Sequence, residues 1–101
     1  MTTNGTHISA DGAVEVSGLL TFETVPGFLD RSTNWLGSKR ASIRVDLKAV
    51  SRADSAGLAL LLEWLRLARA AECELEFVNV PEQVRDLIRV SGLTQAFHLT
   101  E

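Results

Sequence analysis

The stretch that most constrains the fold is the long apolar segment RADSAGLALLLEWLRLARAA, from Arg52 to Ala71. Its leucines and alanines recur every three or four residues, which predicts an amphipathic helix from about Ala56 to Ala71. At about 100° per residue, one face gathers the residues of a core stripe. These residues are Gly57, Leu60, Leu61, Trp64, Ala68 and Ala71, with Leu67 on the border. Such a stripe requires a sheet or other helices to pack against.

The opposite face of this helix is small at its start, apolar in its middle and basic at its end. It carries Ala59, Leu62, Glu63, Arg66, Arg69 and Ala70, with Ser55 at the head of the same row. Small and apolar side chains with arginines at the rim suit the close approach of a partner helix. A solvated face is the alternative, on which Glu63 and Arg66 would form a pair worth only about 0.2–0.5 kcal/mol.

The turn Asp54-Ser55-Ala56-Gly57 precedes the apolar run directly. Asp54 and Ser55 are both favoured N-caps, and a carboxylate also complements the positive end of the helix dipole. Glycine inside a helix costs about 1 kcal/mol relative to alanine, so we expect close packing of the helix start on the sheet. A phosphate on Ser55 would add about −1.5 to −2 charges beside Asp54. Ser55 is therefore suited to be a switch or a tight unmodified contact.

The N-terminal third of the chain predicts a hairpin followed by a helix. THIS and AVEVSGLL flank the turn Asp11-Gly12, and the apolar positions Ile8, Val14 and Val16 are expected to face the core. In TVPGFLDRSTNWLG the helical positions are Phe28, Ser32, Trp35 and Leu36, with Thr24 as the cap and Gly37 as the stop. A turn at Pro26-Gly27 is the alternative.

The remaining segments flank the long helix and predict an alternation of strands and helices. SIRVDL alternates apolar and charged residues, which predicts a strand covered on one side only, and ELEFVNV predicts another strand. A helix follows Pro81 and ends at Gly92, with Val84, Leu87 and Ile88 as its apolar positions. AFHLT is expected to add a short strand or helix. The fold class is α/β, with a mixed sheet and helices mainly on one face.

Composition excludes several classes of function. The net charge is −3 and the pI about 5.3, so no overall field attracts nucleic acid or an anionic membrane. Cys73 is the sole cysteine, cannot form an internal disulfide and is expected to be a small buried hydrophobe. The longest apolar run is far shorter than the ~20 residues of a membrane span, and the N-terminus lacks a secretory signal pattern. We therefore expect a single cytoplasmic domain over residues 1–101, without direct membrane insertion.

The sequence gives no support for catalysis. It contains no pair of carboxylates arranged for acid–base chemistry, no Cys/His cluster with metal-ligand spacing and no phosphate-binding loop. His7 and His98 lie near opposite ends of the chain, and Ser55 has no evident base. We expect no catalytic residue, no metal and no cofactor. A small-ligand or nucleotide-binding module has no sequence feature in its favour.

Two segments resemble the STAS-domain family. IRVDLKAVSRADSAGLALLLEWLRLARAA has its hydrophobic strand, short loop, Asp-(Ser/Thr)-x-Gly-Leu motif and long helix. LEFVNVPEQVRDLIRVSGL is similar to the strand and helix that follow in the family, including the final Gly-Leu. The resemblance is good from about Ile43 to Leu93 and implies a STAS-like fold.

The resemblance is compatible with two branches of the family. One is the small STAS subunit of the Mla phospholipid-transport ABC system of Gram-negative envelopes, which binds the cytoplasmic ATPase and supports the assembly and activity of the transporter. Val50-Ser51-Arg52 and the run from Gly57 to Leu62 are more similar to this branch. The other branch is the anti-sigma factor antagonists, in which an anti-sigma factor kinase phosphorylates the residue at Ser55. Serine is usual there, whereas the transporter branch commonly has threonine.

We therefore expect a non-catalytic STAS subunit that binds an ABC-transporter ATPase, with the permease in a larger complex. It would be cytoplasmic and peripheral to the inner membrane through that partner. The expected docking residues are Asp54, Ser55, Ala56, Ala59, Leu62, Arg66 and Arg69. The alternative partner is an anti-sigma factor kinase that modifies Ser55.

Overall fold

The computed structural model describes residues 5–37 and 40–99. Its elements, in chain order, are β1 (Gly5–Ile8), β2 (Val14–Leu20), α1 (Val25–Leu36), β3 (Ser42–Ala53), α2 (Ser55–Ala70), β4 (Glu74–Val78) and α3 (Glu82–Val90). The sheet has the order β1-β2-β3-β4. β1 is antiparallel to β2, whereas β3 is parallel to both β2 and β4. The predicted α/β class with a mixed sheet is confirmed.

The predicted hairpin is confirmed, but one of its apolar residues lies outside the core. Val14 and Val16 are fully buried, whereas Ile8 is 51% exposed. Ile8 pairs with Val14 and so points to the same side of the sheet. However, β1 is an edge strand, so Ile8 has a neighbouring strand on one side only. Ile8 therefore faces the core side of the sheet as expected, but it is not buried in the core.

β3 is twice as long as the alternating SIRVDL segment because two irregularities keep its second half in the core. Its pairing with β2 shifts by one residue between Glu15 and Ser17 and again between Gly18 and Leu19. Each shift places two successive exposed residues on β3 before the next buried one. Val50 and Ala53 are therefore buried, although strict alternation would turn one of them outward.

The three helices cover one face of the sheet. That face contributes Val14, Val16, Leu20, Ile43, Val45 and Leu47 to the core, all of them buried. α1 and α2 meet through Trp35 and Trp64, whose rings lie edge to face with centroids 5.0 Å apart. Cys73 is buried as predicted. Within residues 5–37 and 40–99 no helix is long and apolar enough to cross a membrane.

The C-terminal part is held by the end of α3 and by an aromatic contact. Gly92 has φ +73°, its N–H donates to the Arg89 carbonyl, and the Leu93 N–H donates to the Ile88 carbonyl. These bonds form a Schellman motif at the helix end that the sequence places at Gly92. Phe97 is buried, with its ring centroid 5.7 Å from that of Phe77. The segment around it forms turns, so the prediction of a strand or helix there is wrong for its described part, residues 96–99.

Candidate protein-docking site

The candidate site lies where the carboxyl ends of β2 and β3 meet. Leu20 pairs with Ala53 at this edge of the sheet. From there the chain enters the turn before α1 on one side and Asp54, the residue before α2, on the other. The Asp54 N–H donates to the Leu20 carbonyl oxygen at 3.1 Å. The turn before α1 and the start of α2 are therefore adjacent, although about thirty residues separate them in sequence.

Asp54 connects these two segments through its side chain. One carboxylate oxygen accepts a hydrogen bond from the Gly57 N–H at 3.0 Å, and the other accepts one from the Phe22 N–H at 3.1 Å. These bonds, the Gly57 bond above all, hold the pKa of Asp54 below its ordinary value. The sequence left the cap open between Asp54 and Ser55. The structure assigns the cap to Asp54, which leaves the Ser55 hydroxyl available to the surface.

Gly57 allows α2 to begin directly against β2. A Cβ atom at this position would lie 2.1 Å from the Leu20 carbonyl oxygen and 2.8 Å from the Leu20 Cβ. Neither distance is possible, and the nearest atom is backbone. The expected close packing of the helix start on the sheet is confirmed.

The structure brings most of the predicted docking residues onto one accessible row of α2. Ser55, Ala59, Arg66 and Arg69 are exposed. Leu62 lies in the same row but is half-buried and packs against the core. We call these five residues the α2 row.

Two predicted docking residues lie outside the α2 row. Asp54 turns its carboxylate inward to the bonds described above and is only partly exposed. Ala56 is partly buried and, one residue after Ser55, points about 100° away from the row.

The two arginines of the α2 row differ in their surroundings. Arg66 donates to both carboxylate oxygens of Glu63, at 2.9 and 2.7 Å. This pairing lowers the pKa of Glu63 and raises that of Arg66. Arg69 forms no ion pair within the described part of the chain. Of the two, Arg69 is thus better placed to meet an acidic group on another protein.

A groove of about 970 Å³ opens beside the second half of α2. Its walls include Leu62, Leu65 and Arg69 from α2, Leu75 from β4 and His98 from the C-terminal turn. The groove is at the opposite end of α2 from Ser55, so His98 is not placed to act as a base for that hydroxyl. Among the described residues, no group of three or more His, Cys, Asp or Glu side chains could hold a metal ion.

Phe22 belongs to the same edge of the molecule and was not predicted from the sequence. Its side chain is 79% exposed, and its N–H is the one that Asp54 binds. It lies in the turn between β2 and α1, where neither helical nor strand periodicity applies. An isolated aromatic residue in the polar segment TFET was the only signal.

Gln83 was also missed, and it supports the site from α3. Its side-chain oxygen accepts from the Ala53 N–H at 2.9 Å, and its side-chain nitrogen donates to the Ala53 carbonyl at 2.8 Å. The first turn of α3 is therefore attached to the last residue of β3, immediately before Asp54. Nothing in the helical periodicity of α3 indicates this contact.

Comparison with known families identifies the fold. The family model described as "Mlab, STAS domain" matches residues 6–101. The chain belongs to the STAS-domain family. This STAS domain is 31% identical over 88 residues to the anti-sigma-B factor antagonist of Staphylococcus aureus strain NCTC 8325 / PS 47, a match that covers 87% of this chain and 82% of that protein.

Solved structures agree with this assignment. An anti-sigma factor antagonist from Mycobacterium paratuberculosis superposes with a TM-score of 0.77 at 25% identity, covering 98% of this chain and 85% of that one. SLC26A9 matches with a TM-score of 0.75 at 16% identity, covering 87% of this chain. This STAS domain spans 17% of the SLC26A9 chain, and that likeness concerns the fold alone.

Proposed function

We propose that this STAS domain is a non-catalytic subunit that binds the cytoplasmic ATPase of an Mla-type phospholipid-transport ABC system. It binds through the α2 row and the turn before α2. The ATPase brings it to the inner membrane and into a larger complex with the permease. It acts by supporting the assembly and activity of the transporter rather than by chemistry of its own.

The observation that carries the proposal is the accessible row of small side chains at the start of α2. Ser55 and Ala59 are exposed, and the cap and the glycine contact hold the helix beneath them in place. A partner helix can approach such a surface closely, and a pre-organised surface loses little conformational freedom on binding. The choice of partner is supported by the Mlab description of the family and by the motif around Val50–Arg52.

A second candidate function is that of an anti-sigma factor antagonist regulated by phosphorylation of Ser55. Two observations favour it: the staphylococcal and mycobacterial relatives carry that name, and the Ser55 side chain is exposed and not used as a cap. A phosphate there would stand at a helix N-terminus beside the Asp54 carboxylate and would alter any surface that docks on it.

The proposal is tested by blocking the α2 row without disturbing the core. Leu62→Asp is a poor choice, because Leu62 is half-buried and an aspartate there would also destabilise the fold. Ala59→Arg places a long side chain on an exposed helical position and keeps helix propensity. It should reduce co-purification with the ATPase to background. Ala10→Arg, a matched change in the exposed hairpin turn, should leave it unchanged.

Retention of the complex by Ala59→Arg would contradict the proposed surface. The two candidate functions are separated by intact-mass measurement of the protein from its native host, together with identification of what co-purifies. An unmodified mass with an ATPase and permease supports the transporter subunit. A mass increase of one phosphate at Ser55 with a kinase partner supports the antagonist.

A further inference from the structure

Phe22 is the most exposed large apolar side chain that the structure describes, at 79%. Burial of an exposed aromatic side chain in a partner is favourable, because it removes apolar surface from water. Aromatic side chains are also enriched among the residues that dominate binding energy. Its position is the feature that distinguishes it. The Phe22 N–H and the Gly57 N–H share one carboxylate, so Phe22 is adjacent to the start of the α2 row.

The turn that carries Phe22 is fixed by hydrogen bonds on both sides of it. The Thr24 hydroxyl accepts from the Thr21 N–H at 2.9 Å and donates to the Leu19 carbonyl at 2.7 Å. The N–H groups of Thr24 and Val25 both donate to the Thr21 carbonyl at 2.9 Å. With Asp54 holding the Phe22 N–H, the backbone beneath the ring has little freedom left to lose when a partner binds.

We propose that Phe22 is the aromatic anchor of the docking surface and inserts into an apolar pocket of the ATPase, beside the contact made by Ser55 and Ala59. The inference rests on the proposed function, since the occupant is the same partner. The surface also differs in charge along its length. The exposed Glu23 follows Phe22, whereas Arg69 lies about 20 Å along α2 from Ser55.

This arrangement specifies the chemistry of the partner. Its complementary surface has an apolar pocket with a basic group beside it, and an acidic group some 20 Å away opposite Arg69. The pocket that buries the Phe22 ring belongs to the partner and not to the α2 row.

The test measures affinity for the purified full-length ATPase by isothermal titration calorimetry, using the intact STAS domain. Phe22→Ala should raise the Kd about 30-fold, as truncation of a dominant interface aromatic does. Its melting temperature should stay within about 1 °C of the parent, because the ring lies outside the core. Phe22→Leu, which keeps an apolar side chain, should lose less affinity than Phe22→Ala.

Ile8→Ala is the matched control, because Ile8 is also an exposed large apolar residue but lies at the opposite end of β2. It should change the Kd less than twofold. If Phe22→Ala stays within twofold of the parent while Ala59→Arg abolishes binding, the anchor is wrong and the proposed function stands. If Ala59→Arg also binds normally, both are overturned. If Phe22→Ala also lowered the melting temperature, the ring would contribute to folding rather than to binding alone, and the inference would likewise be overturned.

Discussion

The two ends of α2 differ in how firmly the structure fixes them. At the N-terminal end, Asp54 bonds to two backbone N–H groups and Gly57 touches the backbone of β2. At the C-terminal end, long side chains border an open groove, and Arg66 is held only by a neighbour on the same helix. One end has a single geometry, and the other has side chains that can be rearranged.

On the proposed docking surface, this difference predicts that the two ends of α2 contribute to binding in different ways. The N-terminal end of α2, with its fixed backbone and small side chains, would set the position and angle of a partner, because a misplaced partner would clash with the backbone. An adjustable basic end adds long-range attraction and tolerates variation in the partner's surface. Substitutions of Asp54 and Gly57, which fix the N-terminal end, should therefore affect both stability and binding, whereas those at the C-terminal end should affect mainly the rate of association.

Among the variants that test this difference between the two ends of α2, Gly57→Ala should have the largest effect. The added methyl group would overlap the Leu20 carbonyl, so α2 must move off the sheet, and the variant should lose about 3 kcal/mol of unfolding free energy. Gly27→Ala in α1 is the matched control. There the nearest atoms to a Cβ belong to the end of the Arg31 side chain, at 3.3 Å, and stability should rise by up to about 1 kcal/mol. Urea denaturation measures both, and equal effects would refute the close-contact explanation.

Asp54→Ala should reduce stability less than Gly57→Ala does. It removes the cap of α2 and the bond to the Phe22 N–H, for a combined loss of about 2 kcal/mol. Asp30→Ala, an exposed position on α1, should change stability by less than about 0.5 kcal/mol. Thermal and urea unfolding of the two variants provide the comparison, and similar losses in both would contradict the role given to Asp54.

The contribution of Asp54 should also depend on pH. Folding lowers its pKa below the ordinary 3.8, so the ionised carboxylate stabilises the folded state. The contribution is fully present above the unfolded-state pKa and is lost as the pH falls through the lower folded-state pKa. The stability difference between the parent and Asp54→Ala should therefore be constant from about pH 8 to 5 and shrink below pH 3.8. A difference that grows on acidification would refute this assignment.

The smallest effect concerns the two arginines. Arg69→Ala should lower the association rate with the ATPase about two- to fivefold in low salt, because Arg69 is not paired within the described residues. Arg66→Ala should have a smaller effect, since Glu63 already neutralises that guanidinium. Both effects should disappear at high ionic strength. Surface plasmon resonance at two salt concentrations measures them, and a larger effect of Arg66 would contradict the proposed division.

The sequence predicted most of the fold because apolar periodicity determines it. The helical period of α2, the alternation in β3 and the glycine after α3 correspond directly to the observed elements. The full length of β3 was not predictable, because its register shifts depend on which residues β2 places opposite. The exposure of Ile8 was not predictable for a related reason: strand alternation gives the direction of a side chain but not whether its strand lies at the edge of the sheet.

The site was only partly predictable, because its key contacts join distant parts of the chain. The α2 row follows from one helix and could be read from spacing alone. The bonds from Asp54 to Phe22 and from Gln83 to Ala53 span about thirty residues and depend on the packed structure. The choice of Asp54 over Ser55 as the cap likewise depends on the direction in which β3 ends.

The Gln83 contact has a consequence for solubility. β3 continues to Ala53, whereas its pairing with β4 ends at Asp46 and Val78. A strand that extends past its neighbour exposes unpaired backbone amide groups, and a strand of another molecule could pair with them. The Gln83 carboxamide forms hydrogen bonds with both the N–H and the carbonyl of Ala53, as a peptide group of an additional strand would. One side chain thus blocks the last residue of this edge against pairing with a strand of another molecule.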